Sequence, residues 1–316
     1  MADKGADKGL ARMTSRVVGL SAAGLILLAA CSPGATGGGA GGNGSGGNGG
    51  STGGGSPAAS GSAGGGSGGG GSAGGNGSAG GTLSARRALL ATASASKNVN
   101  SAAERLIVTT SGAENTTTVG NLEFQRNPGP AISENLRVTT AGKSTHIKAV
   151  LTGTAFYLSE PALATRFGKP WLKIDLSALK SAGLASIAQL VNGLKSNNLL
   201  DQTQLLAVAK HLRVVGKATV NGVATTEYAG SLRADQALST LSPAARKALA
   251  PAFRLLGNTL ISFRIWIDGQ HFTRKVTEVE TVNGDTVHTT VITTAINQPV
   301  QITAPPASLT VSPPGM

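Results

Sequence analysis

The stretch TLISFRIWIDGQHFTRKVTEVETVNGDTVHTTVITTAI, Thr259–Ile296, decides the fold. Ile261, Phe263, Ile265 and Ile267 alternate with Ser262, Arg264 and Asp268, the period of two that puts one set of side chains on each face of a strand. Asp268-Gly269 and Asn283-Gly284 are tight-turn dipeptides, and the runs Phe272–Val282 and Asp285–Ile296 are rich in Val and Thr. Three strands of an antiparallel meander follow from that pattern. Asn221-Gly222 predicts a further hairpin, joining His211–Val220 to Val223–Leu232.

Working outward, Glu104–Ser111, Thr117–Arg126, Ala131–Thr139, Ser144–Thr152, Ala155–Leu158 and Trp171–Leu176 are each enriched in β-branched or aromatic residues between turn residues. Together with the hairpins they make about eleven strands. Helical spacing appears over Ser84–Ser96 and over Leu184–Lys195, where Leu184, Ile187, Leu190, Val191 and Leu194 form one stripe. It appears again over Asp201–Lys210, which opens on an Asp cap with Gln204 three residues on, and from Ser242-Pro243 to Leu256. The order has no βαβ alternation, so the expected class is α+β: a large antiparallel sheet with helical inserts. A sheet of that many strands must twist, curl or split. Curled around the inserts, it becomes a half-barrel with helices over its concave face and an apolar space beneath them.

The N-terminal part has a different chemistry. Lys4, Lys8, Arg12 and Arg16 precede an apolar run, Val17–Ala30, of about fourteen residues, the length of an export signal and too short to span a bilayer comfortably. Translation from Met13 would keep Arg16 ahead of that run. Leu28-Ala29-Ala30-Cys31 matches a bacterial lipobox, in which the cysteine is acylated and becomes the new N-terminus. Cys31 is the chain's single cysteine, so no disulfide or thiolate cluster is available once it carries lipid. Ser32–Gly81 is almost wholly Gly, Ser, Ala and Asn, too poor in apolar surface to fold. As a flexible coil it would span about 40 Å r.m.s.. The expected organisation is a signal over 1–30, a lipidated cysteine and tether over 31–81, and a folded domain over 82–316.

A net charge of +12 could signal nucleic acid inside a cell, but no dense Lys/Arg run appears. On an exported chain the charge would favour anionic head groups and wall polymers, or serve only solubility. The tether's glycines lack the flanking strand and helix of a phosphate loop.

Catalytic chemistry finds little purchase. His146, His211, His271 and His288 lack HxxxH or HExxH spacing, and no GxSxG elbow occurs. His271 and His288 fall in neighbouring strands, where exposed histidines are the ordinary explanation. Glu278 and Glu280 share one strand face, which a solvated edge explains more simply than acid/base work. No catalytic residue, metal or cofactor is assigned. Trp171 and Trp266 could form a sugar platform, with Trp266 on the otherwise polar phase of its strand. Phe124, Phe156, Leu158, Trp171, Phe263 and Ile265, with the stripe Ile187, Leu190, Val191 and Leu194, are the candidate cavity wall. Packed core and cavity wall look alike in sequence.

Five stretches carry a family resemblance: KPWLKIDLSAL at Lys169–Leu179, VNGVATTEYAGSL at Val220–Leu232, SPAARKAL at Ser242–Leu249, ISFRIWIDGQ at Ile261–Gln270 and ITAPPASL at Ile302–Leu309. In this order they resemble the LolA-like, LppX/LprG-type actinobacterial lipoproteins, over essentially Thr82–Leu309. The resemblance implies a curved half-barrel that holds the acyl chains of a lipid or lipoprotein in an apolar cavity, without a cofactor. One departure is Glu227, between Thr226 and Tyr228, where relatives often carry His; selectivity would change if that position meets ligand or partner. The expected function is an envelope lipoprotein, tethered to the outer face of the cell membrane, that shields acyl chains for transport or presentation. The alternative is a sensor or interaction lipoprotein with a filled core, whose partner would be another envelope protein.

Overall fold

The computed structural model describes residues 77–112, 115–176, 206, 209–239, 243, 246, 250, 256–282 and 284–312. The signal, the lipobox with Cys31, the tether up to residue 76 and the stripe Ile187, Leu190, Val191 and Leu194 lie outside them.

The chain enters through helix α1, Gly77–Ala95, which begins inside the glycine-rich stretch and ahead of the predicted Ser84. Six strands follow: β1 Ser101–Ser111, β2 Thr116–Gln125, β3 Ala131–Thr140, β4 Lys143–Leu151, β5 Ala155–Ser159 and, after a short helix α2 at Pro161–Phe167, β6 Trp171–Asp175. The hairpin β7 Lys210–Val220 and β8 Val223–Arg233 leads into a short helix α3, Ala234–Ser239. The meander β9 Leu260–Asp268, β10 Thr273–Val282 and β11 Asp285–Ile296 comes next, and β12, Thr310–Val311, closes the chain. All twelve strands form one open sheet in the order β12-β6-β5-β4-β3-β2-β1-β11-β10-β9-β8-β7. Neighbours pair antiparallel except β12 with β6, which run parallel. An α+β chain built on one large, open antiparallel sheet is therefore the observed class.

Turn chemistry agrees with the predicted hairpins. Asn221 and Gly222 both have positive φ, 47° and 79°, the geometry whose twist matches two paired strands. Asp268 does more than open a tight turn. Its carboxylate accepts the backbone N–H groups of Gln270 and Phe272, both at 2.9 Å, and the Arg274 Nε–H at 2.7 Å, tying the β9–β10 loop from inside.

Register fixes the faces. Ile265 of β9 sits opposite Tyr228 of β8 and Val276 of β10; Val276 faces Val291 of β11, Val291 faces Leu106 of β1, and the row continues through Gly120 of β2, Leu136 of β3 and Ile147 of β4. This face, called inner here, packs against α1 through Ala85 and Leu89 and against α3 through Ala234 and Ala237. Gly120 belongs to the row because a Cβ there would run into the Asn135 carbonyl oxygen of the neighbouring strand. At the far end of the same face, α2 sets Leu163 and Phe167 against Leu151, Leu172 and Ile174. On the outer face at that end the C-terminal segment lays Ile302 against Val150, Tyr157 and Trp171. There the Ile302 N–H donates to Gln125 Oε1 at 3.2 Å.

Candidate functional site

Five of the predicted wall residues share the inner face. Phe263 and Ile265 belong to the large cluster on β9, exposed by 2% and 0%. Phe124 of β2 pairs with Ile132 of β3 in the same phase, and Phe156 and Leu158 of β5 pack beneath α2. Trp171 is on the other side: its phase in β6 is that of Lys173, and it packs with Tyr157 and Ile302 on the outer face. The Trp266 ring is also on the outer face, buried to 8% exposure under Lys275, whose Nζ lies 4.6 Å from the ring centroid. A covered ring offers poor stacking to a sugar.

The inner face is not uniformly apolar. Glu278 and Glu280 are buried at 3% and 4% exposure, so they do not line the solvated edge expected from their spacing. The reason is position: β10 lies inside the sheet between β9 and β11, and Glu278 pairs with Phe263 on one side and Thr289 on the other. Glu104 of β1 and Glu134 of β3 occupy the same face, both registered on Leu122 of β2. Each of these acids stands in the apolar phase of its strand, beside Val276 and Val282, beside Leu106 and Val108, or between Ile132 and Leu136. That phase was the signal in sequence from which they could have been found.

Burial shows in the titration of these groups. Desolvation pushes the Glu278 carboxyl well above its ordinary value, and the neighbouring Glu280 charge pushes it in the same direction. Glu280 is raised by desolvation as well. Glu134 keeps some solvent contact at its surface, yet it is surrounded by protein, and desolvation lifts it to about 6. Burial also raises the Tyr228 phenol, against an opposing hydrogen bond with Thr226.

The outer face has the opposite character. Arg105, Arg137, Lys148 and Arg264 are exposed there, with His146 beside Arg137 across the β3–β4 pair. Glu227, the departure from the family pattern, lies on this face paired with Arg264 at 2.9 Å. It therefore does not contact the inner face. Of the other histidines, His211 and His271 take positive φ at 53° and 66°, and His288 of β11 points outward opposite Val279. Among the described residues no three His, Cys, Asp or Glu gather as a metal site. A polar cleft of about 490 Å³ between Gln270, Arg274, Thr294 and Gln298 contains none of the predicted wall residues.

The architecture defines a class: an open antiparallel sheet with helices against one face. The chain matches no family model and no curated protein. Among solved structures it is similar to the lipoprotein LppX of Mycobacterium tuberculosis, at 16% identity and a TM-score of 0.42, covering 70% of this chain and 99% of that one. It is similar also to LprF of Mycobacterium bovis, at 13% identity and a TM-score of 0.43, covering 71% and 98%. These are lipoproteins of the type the sequence resembles. No described helix is long and apolar enough to cross a membrane.

Proposed function

We propose that this chain is an envelope lipoprotein, anchored to the outer face of the cell membrane through acylated Cys31, whose domain holds acyl chains of a lipid or lipoprotein against its inner face for transport or presentation. The observation that carries this reading is the extent of that face. Apolar side chains line it from Phe156 and Leu158 near one edge, through Phe124, to Phe263 and Ile265 near the other. From β6 to β7 the face is about 50 Å wide at the usual strand spacing, whereas one helix covers about 10 Å. Beside α1 and α3, Leu206, Ala209 and Leu256 pack on the same cluster, and Ile187, Leu190, Val191 and Leu194 are proposed as a further part of the facing wall. Burying one sixteen-carbon chain would contribute about 12 kcal/mol before ordering costs, at about 0.8 kcal/mol per methylene, so affinity needs no catalytic group.

The test uses the mature chain from residue 31 on, carrying Cys31→Ala and exported under a cleavable signal in a membrane-bearing host. Native mass spectrometry should find it with co-purified lipid. A protein that leaves the cell empty and takes up no Nile red would instead support a filled interior with its function on the basic outer face.

A further inference from the structure

The acids on the inner face are hard to reconcile with a surface built for hydrocarbon alone. Glu278 is 3% exposed, and its Oε1 finds no hydrogen-bond partner among the described residues. A buried acceptor left without a donor is costly, so native proteins rarely keep one that nothing fills. Thr118, 1% exposed, repeats the pattern with an unpartnered Oγ1. The two are linked by register: Glu278 pairs with Thr289, Thr289 with Val108 and Val108 with Thr118, one cross-strand row on one face. Glu280 stands two residues along β10 from Glu278, on the same side. On strands β8 to β11 and β1 to β3 the inner phase carries one cation, Arg274, which stands four residues along β10 from Glu278, at the register irregularity facing β9, and is held by Asp268 at 2.7 Å.

We propose, resting on the acyl-chain reading above, that the inner face selects amphiphiles whose polar group donates hydrogen bonds and carries no negative charge, an alcohol or an amine, and seats that group against Glu278 and Glu280. A hydroxyl or ammonium would supply the missing donor to Glu278 Oε1. A carboxylate, sulfate or phosphate supplies no such donor and would itself have to be desolvated beside two acids that burial already drives toward their neutral form. Alcohol and amine share the donor chemistry and differ in charge, so separate titrations tell the two apart.

The experiment titrates the mature Cys31→Ala chain separately with hexadecanol, hexadecylamine and palmitate at pH 8, reading displacement of Nile red. Equal tails cancel the hydrophobic contribution, so differences report the polar group. The alcohol, the amine or both should bind at least about tenfold tighter than palmitate, the worth of one charge-assisted hydrogen bond. Glu278→Gln should narrow that gap, and Glu227→Gln, on the outer face, should leave it unchanged. If Glu278→Gln melts early, Glu280→Gln carries the same comparison. Palmitate binding as tightly as the other two, or a preference that survives both inner-face substitutions, would overturn the selectivity while leaving the acyl-binding function in place. Displacement by none of the three would remove the acyl-binding function itself, and the selectivity with it.

Discussion

Replacing Glu134 with Gln should flatten the pH dependence of stability, and by an amount the structure sets. Desolvation raises the Glu134 carboxyl from 4.5 to about 6 in the folded chain. A group whose folded pKa lies above its unfolded value favours the native state while it is protonated. Its contribution is therefore complete below about pH 4.5 and lost as the pH climbs through 6. The difference corresponds to about 2 kcal/mol. For a domain of this size each kcal/mol moves the melting temperature by about 2–4 °C, so Glu134 should account for about 4–8 °C between pH 4.5 and pH 8. The assay is a pair of thermal melts by circular dichroism in matched ionic strength, for wild type and Glu134→Gln. Exposed carboxylates common to both proteins cancel in the comparison. The wild type should lose more melting temperature on going to pH 8 than the variant does. Glu278→Gln should behave in the same direction, because burial and the Glu280 charge raise that carboxyl also. If Glu134→Gln melts with the same pH slope as wild type, Glu134 is hydrated in solution and the desolvated inner face is refuted at that position.

Two further outcomes concern other parts of the chain. Gly120→Ala puts a Cβ against the Asn135 carbonyl oxygen and 2.5 Å from Leu136 Cδ2, so β3 must shift; the urea midpoint should fall by the equivalent of about 1–3 kcal/mol at unchanged slope, and an unchanged midpoint would show that the β2–β3 spacing is looser than described. In a bacterial host, Cys31→Ala should abolish palmitate labelling without altering the melting temperature of the domain, and labelling that persists would sink the lipobox assignment.

Much of this architecture was legible before any coordinates. Alternation at Ile261, Phe263, Ile265 and Ile267, and the turn at Asn221-Gly222, are local properties: a pleat repeats every two residues and a tight hairpin demands positive φ. The eleven predicted strands accordingly appear within a few residues of their expected ends. Short elements escaped. Helix α2, from Pro161 to the stop at Gly168 with φ 68°, is seven residues long, too short for a helical period to show. Strand β12 exists only because a long return segment brings Thr310 and Val311 beside Trp171 and Leu172.

Strand phase is the point at which sequence stops and tertiary structure decides. In β10 both phases contain valine: Val276 and Val282 with the two acids, Val279 with Lys275 and Thr277. Alternation alone shows that Glu278 and Glu280 share a face, but which face meets the helices depends on partners distant in the chain, Phe263 on one side and Thr289 on the other. The same holds for Trp171, apolar in composition yet carried outward by the phase that sends Leu172 and Ile174 inward. The sequence by itself determined the strands and their turns, because those follow from composition and from neighbours a few residues apart. Which face of β10 is buried, and with it the place of Glu278 and Glu280, was decided by tertiary structure, because burial belongs to a position within a sheet and not to a residue type.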